Sequence, residues 1–166
     1  KKIFIEKGYP SSHLKVIYNG APVERYKTID SKKTTQLQQK LSIDPNDTVI
    51  GCVSRFKKQD QIIHALKYLD PDYKVLFVGF EKGLLDDLIY SLNIKQKIIY
   101  AGIVGNEEAL HYYRLMDVHI LPSTTDGFGL VLIEAMACGV PCIGSNIGGI
   151  PEVIEHNVNG FVVPLN

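Results

Sequence analysis

The chain has 166 residues, the length of a single domain, and its 45% apolar and 22% charged residues are typical of a chain that folds around its own core. Its 18 basic and 18 acidic side chains cancel, which argues against a dedicated nucleic-acid-binding protein but leaves room for a local basic patch. The three cysteines cannot form a closed disulfide framework and favour a reducing compartment, and no apolar run is long enough for a membrane helix.

Short apolar runs alternate with longer helical segments along most of the chain. We expect a junction segment over about residues 1–47, with a strand at 15–18, an Asn19-Gly20 turn and a helix at 34–41, and a sheet-and-helix core over 48–166. The predicted core strands are 49–53, 75–78, 98–101, 118–121 and 141–143, and the predicted core helices are 62–69, 84–92, 107–115 and 130–138.

The strands are apolar throughout rather than at every second residue. This pattern is typical of a parallel sheet covered on both faces, so the sequence predicts a doubly wound, Rossmann-like α/β fold. Two residues mark helix ends within it. Asn106 is predicted to cap the amino end of the third core helix, and Gly139 to end the fourth in a left-handed conformation.

In such a sheet, ligands bind beyond the carboxyl ends of the strands. The loop after the first core strand contains Arg55, Lys57 and Lys58, whose charges can hold a phosphate group. The alternative is a solvated basic loop without a ligand.

The loop after the fourth core strand combines glycines with carboxylates. Gly127 and Gly129 permit close approach of a ligand, and the helix that follows presents unpaired backbone amides to an anion. Asp126 and Glu134 would repel a phosphate, so we expect them to accept hydrogen bonds from sugar hydroxyls. The alternative is that Asp126 caps the helix and Glu134 pairs with a nearby basic side chain.

Several common sites are absent from the sequence. The Gly127-Phe128-Gly129 stretch lacks the third glycine of a dinucleotide fingerprint, and neither a P-loop nor a Gly-x-Ser-x-Gly elbow is present. Cys138 and Cys142 lack the second pair of ligands of a zinc site, so no metal site is predicted. No histidine is spaced to activate a serine or cysteine nucleophile.

Together, the motifs resemble the signature of the group 1 glycosyltransferases, which are retaining, nucleotide-sugar-dependent enzymes of GT-B architecture. The resemblance runs in order along nearly the whole chain. It is carried by Val16-Ile17-Tyr18-Asn19-Gly20, Ser54-Arg55-Phe56, Ala101-Gly102, Met116-Asp117-Val118, Leu121-Pro122-Ser123, Asp126-Gly127-Phe128-Gly129-Leu130, Glu134-Ala135-Met136-Ala137, Gly139-Val140-Pro141, Gly148-Gly149-Ile150-Pro151-Glu152 and Asn159-Gly160-Phe161.

The resemblance implies that the chain is the C-terminal, donor-binding half of a hexosyltransferase-like enzyme, without the N-terminal acceptor domain. Arg55 and a following lysine would hold the donor diphosphate, and the amides of Phe128, Gly129 and Leu130 would meet the phosphate or the sugar. Asp126 would contact hydroxyls of the sugar, Glu134 those of the ribose, and backbone near Ile103 and Val104 the base. The catalytic assignments are Asp126, Arg55 and Lys58; the further donor-binding assignments are Lys57, Val104, Gly127, Phe128, Gly129, Leu130 and Glu134.

Two departures from the family pattern affect these assignments. The family's first glutamate is replaced by the shorter Asp126, and the loop after Arg55 is shorter than usual. Lys57 and Lys58 therefore compete for the family's lysine, with a slight preference for Lys58. The implied reaction is metal-free transfer with retention, in which positive charge and a helix amino end stabilise the leaving diphosphate.

The implied partners are a nucleotide-diphosphate sugar such as a UDP-sugar, the enzyme's own N-terminal domain and a glycan or lipid acceptor, as in polysaccharide biosynthesis. We expect a cytoplasmic location, at the inner membrane face in the full-length protein, and no transfer by this domain alone. The alternatives are a nucleotide-sugar epimerase of the same architecture, a non-catalytic sugar-nucleotide binding module and a doubly wound dehydrogenase. The last is disfavoured by the missing glycine.

Overall fold

The computed structural model of the chain describes residues 2–164 and contains a six-stranded parallel sheet. The strands pair in the order β3-β2-β1-β4-β5-β6, which is the order of a Rossmann-like sheet. They are β1 (Val49–Val53), β2 (Lys74–Val78), β3 (Lys97–Tyr100), β4 (Val118–Leu121), β5 (Cys142–Ser145) and β6 (Gly160–Val163).

Helices connect each strand to the next, and shorter helices precede the sheet. The first segment contains α1 (Lys2–Glu6), a 3-10 turn (Ser11–His13), α2 (Val23–Lys27) and α3 (Ser31–Lys40). The connecting helices are α4 (Asp60–Leu66), α5 (Asp86–Ser91), α6 (Asn106–Tyr113), α7 (Leu130–Ala137) and α8 (Ile150–Val153).

The core lies on both faces of the sheet, as the continuous apolar strands predict. All five residues of β1 are buried. One apolar cluster joins the sheet to α3, α6 and α7, and a second joins the opposite face to α4 and α5. The prediction of a doubly wound α/β fold is confirmed.

The helix-end predictions had different outcomes. Gly139 has a φ of 83° just after α7, which confirms the left-handed ending. The prediction that Asn106 caps α6 is wrong: Asn106 is the first helical residue, and Gly105 precedes it in an extended conformation with no side-chain cap. The helix predicted at 34–41 begins earlier, because the Asp30 side chain accepts hydrogen bonds from the amides of Lys32 and Lys33 and so starts α3 at Ser31.

The strand predicted at 15–18 is wrong, and β6 was not predicted. Val16, Ile17 and Tyr18 are exposed and belong to no strand among the described residues; an apolar run becomes a strand only where a partner supplies the ladder. By contrast, β6 is short and alternates half-buried with exposed residues, which makes a weak sequence signal. Its register against β5 is set by pairs from Cys142↔Gly160 to Ser145↔Val163.

Two further features concern the chain as a whole. Cys52, Cys138 and Cys142 are free thiols and are buried. Within residues 2–164, no helix combines the length and apolar character needed to cross a bilayer.

Candidate functional site

The strand order places a crevice between β1 and β4 at the carboxyl edge of the sheet. From β1 the chain winds outward to β2 and β3, then returns to form β4 on the other side of β1, so the loops after β1 and β4 separate. The β1–β4 ladder covers the pairs Ile50↔Val118 and Gly51↔His119. Beyond it, the amide of Val53 donates to Nε2 of His119 over 3.1 Å, so an imidazole ring links the two strands where the backbone ladder ends.

His119 is fully buried, and burial lowers its pKa to about 4. Because Nε2 accepts the Val53 bond, the proton of the neutral ring is on Nδ1, which has no hydrogen-bond partner among the described residues. The ring meets the ring of Tyr113 edge-on, with centroids 5.7 Å apart. We interpret His119 as a neutral structural group between β1 and β4 rather than an acid or base.

The basic loop after β1 sends its cations in different directions. Lys57 reaches across the crevice: its Nζ lies 3.0 Å from Oδ2 of Asp126 and 3.4 Å from both the Ser123 hydroxyl and the Thr125 carbonyl. The guanidinium of Arg55 is exposed and has no partner within residues 2–164. One positive charge is therefore paired and a second is available to an anion.

The loop after β4 leads into α7 through a backbone without a side-chain cap. Gly129, which precedes the helix, has a φ of 75°, a conformation that glycine adopts without steric cost. The amides of Phe128, Gly129 and Leu130 have no hydrogen-bond acceptor in the described part of the chain. The expected amino-terminal anion site is therefore open, and Asp126 pairs with Lys57 instead of capping the helix.

Two glycines of the loop after β5 pack closely against the backbone of the loop after β4. A Cβ atom on Gly148 would overlap the carbonyl of Asp126, and one on Gly149 would collide with the backbone of Gly127 and Phe128. The loop resembling the family's Gly-Gly-Ile-Pro-Glu motif thus packs directly against the candidate site. The ring of Tyr18, from the first segment, contacts that of Phe128 at a tilt of 41°, with centroids 5.6 Å apart.

These elements enclose an open cavity of about 300 Å³. Its wall includes the expected Arg55, Lys57, Asp126, Phe128, Gly129 and Leu130. It also includes four residues that were not predicted as site residues from the sequence, namely Asn19, Ser54, Leu121 and Val131. Ser54 and Leu121 could have been predicted from the sequence, because they lie at the carboxyl ends of β1 and β4.

Four expected residues do not line the cavity. Lys58 is exposed, a Cβ atom added to Gly127 would meet open space, and Val104 is half-buried against the apolar cluster that contains α6 and α7. Glu134 lies one turn along α7 from Leu130, on the same face of the helix. It is half-buried, and it accepts a hydrogen bond of 2.8 Å from the hydroxyl of Tyr113 rather than pairing with a basic side chain.

Tyr113 is fully buried, and its hydroxyl is held as a donor. Burial, together with the neighbouring Glu134 carboxylate, raises the pKa of Tyr113 above its usual range. The hydroxyl therefore stays protonated and keeps one oxygen of Glu134 in place. In the part of the chain that the structure describes, no hydrogen bond reaches the other oxygen, which leaves it for a further donor.

A family model and two related sequences all match this chain to glycosyltransferases. Residues 33–166 match the family model for glycosyl transferases group 1. The chain is 32% identical to an uncharacterized glycosyltransferase of Methanocaldococcus jannaschii, over 95% of this chain and 43% of that protein. It is 34% identical to the N-acetyl-alpha-D-glucosaminyl L-malate synthase of Bacillus anthracis, over 92% of this chain and 41% of that enzyme.

A solved structure shows the same fold. Anabaena HepE in complex with UDP-glucose is 30% identical to this chain and superposes with a TM-score of 0.84, over 98% of this chain and 47% of HepE. The chain therefore spans less than half the length of these relatives.

Proposed function

Since the chain belongs to the group 1 glycosyltransferases, we propose that the cavity between β1 and β4 binds a nucleotide-diphosphate sugar as glycosyl donor. The observation that carries this proposal is the meeting of two anion-binding features across one cavity. Arg55 and Lys57 come from the loop after β1, and the unpaired amides of Phe128, Gly129 and Leu130 come from the start of α7.

The two features suit a diphosphate that gains charge during the reaction. As the bond between sugar and phosphate breaks, negative charge develops on the leaving diphosphate. Arg55 and the amides have no partner to give up among the described residues, whereas Lys57 exchanges its ion pair with Asp126 for the diphosphate; together they stabilise that charge. We assign the lysine role to Lys57, because it lines the cavity and Lys58 does not.

The carboxylates are proposed to select hydroxyl groups. Asp126 lies in the cavity wall, where it can accept hydrogen bonds from the transferred sugar once Lys57 turns to the diphosphate. Glu134, which accepts the hydrogen bond of Tyr113 one turn further along α7, is proposed to bind the ribose hydroxyls. Backbone at Val104, together with Gly127, is proposed to complete the contacts to the base and the sugar.

For the whole protein, we propose transfer of a hexose to a glycan or lipid acceptor with retention of configuration. UDP-glucose bound to Anabaena HepE supports a UDP-sugar as donor. We further propose that no metal ion is needed, since two cations and a helix amino end face the diphosphate position. Donor binding in the presence of a chelator tests this point, and binding that disappears would refute it.

Titration calorimetry tests the donor assignment. The chain is titrated separately with UDP-, GDP- and ADP-glucose and with NAD, and we expect binding of at least one sugar nucleotide and none of NAD. Arg55→Ala is expected to weaken that binding, because it removes a charge-assisted contact to phosphate. Binding of NAD alone would overturn the proposal.

A further inference from the structure

A buried glutamine lies between the basic loop and α4. Gln59 directly precedes α4 and is fully buried, although its side chain carries an amide group. Burying an amide is unfavourable unless its polar atoms find partners. The side-chain amide of Gln59 does find such partners: apart from a long contact of 3.8 Å to Sγ of Cys52 in β1, they lie in the loop that carries Arg55 and Lys57.

The hydrogen bonds of Gln59 span this loop from end to end. Its Nε2 donates to the hydroxyl of Ser54 over 2.6 Å and to the carbonyl of Arg55 over 3.0 Å. Its Oε1 accepts from the backbone amide of Lys57 over 2.6 Å. The side chain thus fixes the backbone at both cations that line the cavity.

From this arrangement we propose that Gln59 is a positioning residue for the donor diphosphate. It touches no ligand itself; it holds the backbone that directs Arg55 towards the cavity and Lys57 across it. The inference rests on the proposed function of the cavity as a donor site. It adds that the geometry of the two cations depends on a side chain buried beneath the loop.

A purely structural role is the competing explanation, and the chain offers a matched control for it. Gln96 is also buried, and its Nε2 donates to the carbonyls of Leu66, at the end of α4, and of Leu69 and Asp70, just beyond it. Its partners lie outside the cavity wall. Gln59→Met and Gln96→Met each remove a buried amide at nearly constant volume, so both lower stability.

Two measurements on these variants test the proposal. Hydrogen exchange of the Lys57 amide, read by NMR, reports on the loop, and calorimetry with UDP and with inorganic pyrophosphate reports on binding. For Gln59→Met we expect faster Lys57 exchange and an increase in Kd of about tenfold or more. For Gln96→Met we expect lower stability with unchanged Kd and unchanged Lys57 exchange.

Gln59→Glu is the second variant if Gln59→Met does not fold. It keeps an acceptor for the Lys57 amide and loses both donor bonds, so its Kd is also expected to rise. Wild-type affinity in a folded Gln59 variant, or an equal loss in Gln96→Met, would overturn the inference. A wild-type chain that binds neither probe would instead overturn the proposed function, and Lys57 exchange would still decide whether Gln59 holds the loop.

Discussion

The ammonium nitrogen of Lys57 lies 3.0 Å from Oδ2 of Asp126, and this ion pair joins the loop after β1 to the loop after β4. The Asp126 side chain is only 15% exposed, whereas that of Lys57 is 36% exposed. The pair bridges the crevice in which the donor is proposed to bind. A bound diphosphate would draw Lys57 away and leave the Asp126 carboxylate to the sugar hydroxyls.

Exchanging single lysines tests which of them meets the diphosphate. Lys57→Met is expected to raise the Kd for UDP by roughly tenfold to a hundredfold, the range for losing one hydrogen bond to a charged group. Lys58→Met is the matched control, since Lys58 is exposed and lies outside the cavity wall. Calorimetry on both variants measures the two Kd values. A larger increase in Lys58→Met than in Lys57→Met would assign the diphosphate contact to Lys58.

Removing one hydroxyl group tests the role of Tyr113. Tyr113→Phe keeps the ring in the core but leaves Glu134 without the 2.8 Å hydrogen bond, so we expect a loss of about 1–3 kcal/mol in the free energy of unfolding. Calorimetry should also show weaker binding of UDP, because the carboxylate proposed to bind the ribose loses its orientation.

The neighbouring tyrosine provides the control. Tyr112 is buried as well, but its hydroxyl donates over 3.5 Å to Glu108 on the same helix, a long bond that contributes little. Tyr112→Phe should leave UDP affinity unchanged. If Tyr113→Phe also binds UDP normally, Glu134 is not a ribose ligand oriented by Tyr113.

The fold could be predicted from the sequence because its strongest signals are local. β1 is a short, wholly buried apolar run, and the end of α7 is marked by Gly139. The failures at 15–18 and at β6 share a physical cause. Whether Val16–Tyr18 or Phe161–Val163 forms a strand depends on a partner distant in sequence, which no local pattern reveals.

For the site, the sequence identifies which loops to examine but not how their side chains turn. Arg55 and Asp126 follow β1 and β4, so the rule for carboxyl ends finds them. The choice between Lys57 and Lys58 depends on the direction of one loop, which Gln59 sets through a hydrogen bond to the Lys57 amide. Similarly, the hydrogen bond from Tyr113 to Glu134 joins side chains that are 21 positions apart in the sequence. No sequence pattern predicts that these two side chains meet.

Replacing Gly148 is predicted to lower both stability and binding, because the backbone of Asp126 packs directly against it. In Gly148→Ala, the new Cβ would overlap the Asp126 carbonyl, and the φ of 56° would add strain. We expect a loss of more than about 1–2 kcal/mol in stability, the cost of the left-handed conformation alone, together with weaker UDP binding. Gly139→Ala separates the two effects, since Gly139 has a φ of 83° but open space around it. It should lower stability and leave binding intact, and equal binding by both variants would contradict a role for Gly148 in shaping the site.

His119 is expected to make stability depend on pH. Its pKa is about 4 in the folded chain, because burial disfavours the charged ring, and about 6.5 when the chain is unfolded. Between these values the unfolded chain binds the additional proton, so the contribution of His119 is complete above about pH 6.5 and decreases as the pH falls towards 4. The slope is about 1.4 kcal/mol per pH unit at most. Urea unfolding from pH 4.5 to 7.5 measures it, and His119→Phe should lower stability at pH 7 while reducing the slope. A slope that His119→Phe leaves unchanged would assign the pH dependence to other groups and refute the neutral, buried imidazole.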